Sequence, residues 1–237
     1  DKILQSRVMS TRNLVEAMRK LDMPPKVFVS ASAIGIYGNR GSEVLVESSA
    51  PGNGALAGIC QLWEKEVFRA ATQNIRTVAL RLGIVLGKTG GAMCMILPPF
   101  RLGLGGRLGD GRQWMSWIHV RDVAGLVLHA IEHDSIMGTL NAVSPYPVTN
   151  REFTDTLAKE LRRFAILPVP ALALKFLLGK MSALLLDSQK VSSKRSSGYR
   201  FLYPRLNLAL GEVCNDFDHE FLMEQWVPLP GEKVFLF

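Results

Sequence analysis

Two short β-branched runs set the fold class. Residues 26–30 (Lys-Val-Phe-Val-Ser) and residues 76–82 (Arg-Thr-Val-Ala-Leu-Arg-Leu) are too short for buried helices and too apolar for half-exposed strands. Each is preceded by a helical pattern. In residues 6–21, Val8, Leu14, Val15, Met18 and Leu21 recur at helical spacing, and Pro24-Pro25 stops the run. Residues 56–72 are helical again. Strands and helices alternating at this length predict a parallel sheet with helices on both faces, a doubly wound α/β fold. Further along, residues 114–119 read as extended, 120–133 as a helix and 138–143 as a strand. Helix 149–162 then opens, with Thr149 or Asn150 as its N-cap. Shorter, proline-punctuated helices follow. The expected division is a sheet domain over residues 1–144, a helical lobe over 145–214 and a tail over 215–237.

The composition narrows the function classes. Apolar residues make up 48% of the 237 and charged residues 21%, which suits a globular domain and argues against disorder. The most apolar stretch, residues 165–179, carries Pro168, Pro170 and Lys175 and is too short for a membrane span. Cys60, Cys94 and Cys214 are odd in number and far apart, which fits a reducing cytoplasm and not a disulfide framework or a zinc site. The net charge is +7, and Lys190, Lys194, Arg195, Arg200 and Arg205 lie in a stretch without acids. Such a cluster either meets a phosphate-bearing ligand or is a solvated basic face. No aromatic-basic motif for nucleic acid accompanies it.

Several short motifs carry possible chemistry. Residues 129–133 spell H-x-x-E-H, a spacing that suits zinc on one helix face. However, Val120, Val123, Val127 and Ala130 mark the buried stripe, which leaves His129, Glu132 and His133 on the solvent side with no third ligand; no metal is expected. Residues 30–33 (Ser-Ala-Ser-Ala) directly follow the first buried strand, where open α/β sheets place their ligands. The Ser30 and Ser32 hydroxyls either bond a cofactor or substrate oxygen or cap a turn. Residues 82–87, with Leu82, Gly83, Ile84 and Val85 at their start, follow the second strand in the equivalent place. There Gly83 and Gly87 allow either a close backbone approach or a simple exit turn. The five glycines of residues 103–111 form a loop that does not open a helix, so they are not read as a phosphate cradle.

These segments together carry a resemblance. Ser30-Ala31-Ser32 followed by Tyr37-Gly38 and Glu47 resembles the serine-and-YG segment of extended short-chain dehydrogenases such as sugar-nucleotide epimerases. Residues 81–87 resemble the next strand exit. Residues 108–113 with 117–123 resemble the "GdG…fvHVdDva" segment. The closer resemblance is to the atypical "epimerase family" subgroup, predicted nucleoside-diphosphate-sugar epimerases, over residues 1–214. It rests on residues 90–93, 97–106, Cys60 with Trp63-Glu64, and residues 178–191, 198–201, 203–204 and 209–210.

The resemblance implies NADP or NAD as cofactor and a small-molecule substrate, with a nucleotide sugar as the candidate. It implies that Ser30, Ala31, Ser32, Leu82, Gly83, Ile84 and Val85 line the nicotinamide side. It gives Ser32 the one catalytic role, and it puts Tyr37, Trp114 and His119 on the substrate side. Two departures follow. The family's N-terminal strand and glycine fingerprint are expected to lie ahead of Asp1, so these residues alone are expected to bind the cofactor poorly. The family's Tyr-x-x-x-Lys positions fall on Leu56 and Cys60, which provide neither the proton nor the cation. Residues 220–235 resemble the start of a START-like ligand-binding domain.

Overall fold

The computed structural model describes residues 5–215, apart from Ile166 and Ser197. The first helix starts as a π-turn over Gln5–Met9 and continues as α1, Ser10–Met18. Val8, Val15 and Met18 are buried, whereas Leu21 is exposed. The helix ends earlier than its apolar spacing predicts, because the chain turns at Arg19 and Lys20 ahead of the two prolines. Strand β1, Val27–Ala33, leads through a 3-10 turn to a short β2, Val44–Leu45. Helix α2, Ala55–Phe68, is followed by β3, Arg76–Leu82, and β4, Ile84–Leu86.

Helix α3, Met93–Arg101, forms despite Pro98 and Pro99. Its buried residues Met93, Leu97 and Phe100 fall at i, i+4 and i+7 and pin one face to the core. The extended stretch 114–119 divides into β5, Trp114–Met115, and β6, Trp117–His119. The break is at the fully buried Ser116, whose carbonyl accepts from the Ile84 amide. Helix α4, Val120–Glu132, and strand β7, Gly138–Ala142, complete the sheet region. Then follow β8 (Val148–Thr149), α5 (Asn150–Glu160), α6 (Ala171–Leu178), α7 (Ala183–Leu186), β9 (Lys190–Val191) and α8 (Leu206–Cys214). Thr149 caps α5 in a reciprocal capping box with Glu152.

The central sheet runs β1-β3-β7, all parallel. Alternation along β3 divides its side chains between two faces. Val78 and Leu80 pack with Ile118, Leu126 and Ala130 toward α4. On the other face Phe28 of β1 packs with Val15, Met18, Ala70 and Ile75, toward α1 and the end of α2. Helices therefore cover both faces, the doubly wound arrangement that the alternating pattern predicts. A third core joins Leu86, Met93, Leu97 and Trp117 to Phe153, Leu157, Leu206 and Leu210. Residues on either side of position 145 thus share one apolar core. Among the described residues no helix is long and apolar enough to cross a membrane. Residues 216–237, including those that resemble a START-like domain, lie outside the described residues.

Charged pairs bind the helices together. Glu66 of α2 accepts from Arg12 of α1 at 2.8 Å and from Arg69 at 2.7 Å. The Arg12 bond, outweighing the effect of burial and reinforced by Arg69, lowers the Glu66 carboxyl from its usual range to about 2. A carboxyl that binds its proton less tightly when folded stabilises the fold above its unfolded pKa, here about 4.5. That contribution is lost as pH falls from about 4.5 to about 2. Because both guanidinium partners are partly exposed, about 1–2 kcal/mol is expected. Urea unfolding at pH 6 and pH 2.5 checks this: Glu66→Gln should weaken the protein at pH 6 and make little difference at pH 2.5.

Candidate functional site

The carboxyl ends of β1 and β3 lie side by side, with Ser32 opposite Arg81 and Ala33 opposite Leu82. The fold thus brings together Ser30, Ala31, Ser32 and Leu82, which are some fifty residues apart in the chain. Ser32 is 2% exposed, and its Oγ donates to Glu64 Oε1 of α2 at 2.7 Å. Glu64 is clamped by Arg81, whose Nε and Nη2 reach its two carboxylate oxygens at 2.8 and 2.9 Å. Burial alone would lower the Arg81 pKa, but the hydrogen bonds and charge of Glu64 outweigh it and raise it. Arg81 Nη1 also donates to the Tyr37 hydroxyl at 2.9 Å, and that hydroxyl donates to Asn141 Oδ1 at 2.7 Å. Asn141 donates its backbone amide to the Glu47 carboxylate and its side-chain amide to the Ser192 carbonyl.

Ser32, Tyr37, Glu64, Arg81 and Asn141 therefore form one buried polar network under the strand ends. The sequence singled out Ser32 and Tyr37; Glu64, Arg81 and Asn141 were missed as members. The signal for them was a charged residue at an otherwise apolar strand position, Arg81 within 76–82, which demands a partner when buried. Tyr37 is fully buried, and its phenol pKa is raised, mainly by burial. Its hydroxyl is used within this network.

Gly83 has no positive φ. Its place is fixed by packing, since a Cβ there would stand 2.5 Å from the Ser116 carbonyl oxygen. Ile84 and Val85 pair with Trp117 and Ile118 in the β4–β6 ladder, so Leu82 to Val85 run from the central sheet onto a second, smaller one. Ser30 donates to the Ala31 carbonyl of its own strand at 3.2 Å.

The remaining candidates lie in other surroundings. His119 is 1% exposed and caps α4, its Nδ1 accepting from the Arg121 amide. That assigns the ring hydrogen to Nε2, which faces Glu212 of α8 at 2.9 Å. Trp114 is half-buried, with the Lys190 ammonium 4.0 Å from its ring centroid. Of the five basic residues of 190–205, Lys190, Arg195 and Arg205 have partners within the protein. Arg195 donates to the Thr139 and Met137 carbonyls, and Arg205 lies over Tyr146. On α4, His133 Nδ1 lies 2.9 Å from the His129 carbonyl, and among the described residues no group of three or more metal-ligating side chains is found. The glycine loop packs on the chain before α6: Gly109 donates to the Val169 carbonyl and Val169 to that of Arg107. A side chain at Gly106 would overlap the Leu167 carbonyl.

A cleft of about 440 Å³ opens between the loops that flank α2 and the segment from α6 to α7. One wall is Gly35, Gly38, Asn53, Gly54 and residues 55–57; Lys175, Ser182, Ala183, Leu186 and Asp187 face it. Leu56 lines this cleft, and Cys60 lies one helical turn deeper, 6% exposed. Burial, followed by the Glu64 carboxylate, pushes the Cys60 thiol up to about 11, so it is not a thiolate near neutral pH.

The comparisons agree with this geometry. The family model described as "NAD dependent epimerase/dehydratase family" matches residues 1–142, and one described as "Domain of unknown function (DUF1731)" matches residues 169–213. The chain is similar to the epimerase family protein YfhF of Bacillus subtilis, 39% identical over 90% of this chain and 71% of that protein. It is similar to the crystal structure of the human epimerase family protein SDR39U1 (isoform 2) with NADPH. That likeness has 36% identity and a TM-score of 0.83, over 89% of this chain and 72% of the other. A nucleoside-diphosphate sugar epimerase from Corynebacterium glutamicum matches at 31% identity and a TM-score of 0.73, over 90% of this chain and 42% of that one. With its parallel sheet, its paired strand ends and these relatives, the chain belongs to the NAD-dependent epimerase/dehydratase family.

Proposed function

We propose that the protein binds NADPH or NADH and acts as an oxidoreductase or epimerase on a nucleotide-sugar type of small molecule. The observation that carries this reading is the meeting of the β1 and β3 carboxyl ends beside the cleft, where open α/β sheets hold their ligands. The residues fit the nicotinamide end of a dinucleotide. Leu82, Ile84 and Val85 are apolar and half-buried, and Ser30 to Ser32 supply backbone and hydroxyl groups. Bound there, a nicotinamide supplies or takes up a hydride. The Ser32 hydrogen is committed to Glu64, so Ser32 offers lone pairs, which suits a substrate hydroxyl as donor. Arg81 and Glu64 hold that orientation.

A second reading is favoured by Leu56 and Cys60. Neither transfers a proton near neutral pH, so the protein in this reading binds the dinucleotide as a sensor or scaffold without turnover. NADPH fluorescence titrated into the full-length protein and into residues 1–237 tests the cofactor site. Binding by the full-length protein, and weak binding by residues 1–237, is the expected result. Tight binding by residues 1–237 alone would move the pyrophosphate site into this chain. NADPH oxidation across a panel of nucleotide sugars separates the two readings, because only the first predicts turnover.

A further inference from the structure

Resting on the reading that a nucleotide-sugar type of ligand enters the cleft, we propose that Asp187 is the residue that reads the ligand there, accepting hydrogen bonds from two hydroxyl groups on neighbouring carbons of a sugar ring. Asp187 follows α7 and closes the wall opposite Leu56. Its backbone amide is used, donating to the Ala183 carbonyl. Its carboxylate has no hydrogen-bond or ion-pair partner among the described residues, although its neighbours are well supplied. Ser188 is held by Asn39, Gly41 and Trp114, and Gln189 by Gly38. Arg40, whose backbone amide donates to the Ser188 carbonyl, spends its guanidinium on Glu43 at 2.7 and 2.8 Å. Half-buried without a donor, the carboxyl has its pKa raised by burial. A carboxylate left in that state gains most from a ligand that brings the donors itself.

The rest of the cleft decides which donors suit it. Lys175 lies on the same wall and disfavours an ammonium-bearing ligand, while a second negative charge beside Asp187 is repelled. Neutral hydroxyls satisfy both conditions. The opposite wall offers Ala55, Leu56 and Ala57, an apolar surface for the carbon face of a ring, with the Asn53 amide at its edge. The family's tyrosine position, occupied here by Leu56, thus serves as a platform while the polar recognition comes from the opposite lobe.

UDP-glucose and UDP are the probes, titrated by calorimetry into the wild-type protein and the Asp187→Asn and Asp187→Leu variants, with and without NADPH. Wild-type protein is expected to bind UDP-glucose more tightly than UDP. Asp187→Leu is expected to weaken UDP-glucose by at least about tenfold, since both hydrogen bonds to the carboxylate are lost. Asp187→Asn should fall between, and UDP and NADPH affinities should stay unchanged in both variants. An unchanged UDP-glucose affinity in Asp187→Leu, or no preference of the wild-type protein for UDP-glucose over UDP, would overturn the proposal. Failure of the wild-type protein to bind NADPH would instead strike the cofactor reading; the titrations without NADPH still decide the role of Asp187.

Discussion

Replacing Arg81 by methionine is expected to cost about 3–5 kcal/mol of folding stability, because it leaves the Glu64 carboxylate buried and unpaired. Both members of the pair have side chains about 8% exposed, so water cannot take the place of the guanidinium. Arg81 also donates to the Tyr37 hydroxyl and the Glu47 carbonyl, so its loss frees acceptors along the whole network. Urea unfolding at pH 7 measures the effect. The double variant Arg81→Met/Glu64→Leu, which removes both charges, should recover a large part of the loss, since a buried pair is worth little against apolar side chains of similar volume. A loss below about 1 kcal/mol in the single variant would show that Glu64 is hydrated and that the network does not hold Ser32 in place.

The second large effect is expected at Asp122, fully buried in the first turn of α4. Its carboxylate accepts from the Leu202 amide at 2.7 Å, the Tyr203 amide at 3.0 Å and the Tyr199 hydroxyl at 3.0 Å. Those three donors belong to the segment leading into α8, so one carboxylate ties the end of the described chain to the sheet. Asp122→Ala is expected to destabilise by about 3–5 kcal/mol, since three donors to a charged acceptor lose it together. Hydrogen exchange should show the loss first in residues 199–214 and only later in β3. Uniform loss of protection would mean that the segment and the sheet unfold as one unit, with Asp122 no longer a local latch.

Some of this was legible in the residues. The parallel sheet followed from two β-branched runs between helical patterns, because periodicity and length are local properties. That Ser30 to Ser32 and Leu82 each follow a buried strand was legible, but that the two strands lie side by side was decided by the sheet pairing. The break of 114–119 at Ser116 was not legible. Its cause is a distant strand, Ile84 donating to the Ser116 carbonyl, and local propensity does not report it.

The side-chain partnerships were less legible still. Tyr37 and His119 read in sequence as groups free to line a substrate site. In the fold, Tyr37 is bound to Arg81 and Asn141, and His119 lies against Glu212 while capping α4. Glu212 comes 93 positions after His119, and Asn141 comes 104 after Tyr37. The sequence by itself determined the alternation of the three central strands with their neighbouring helices and the absence of a tyrosine and a lysine at positions 56 and 60, while Leu21 and Val120, apolar in the helical pattern, proved exposed. Only the tertiary structure decided which polar groups spend their hydrogen bonds on one another and which, like the Asp187 carboxylate at the cleft wall, find no partner among the described residues. A buried polar group must find its partner in space, and its partner's place in the chain leaves no periodic trace.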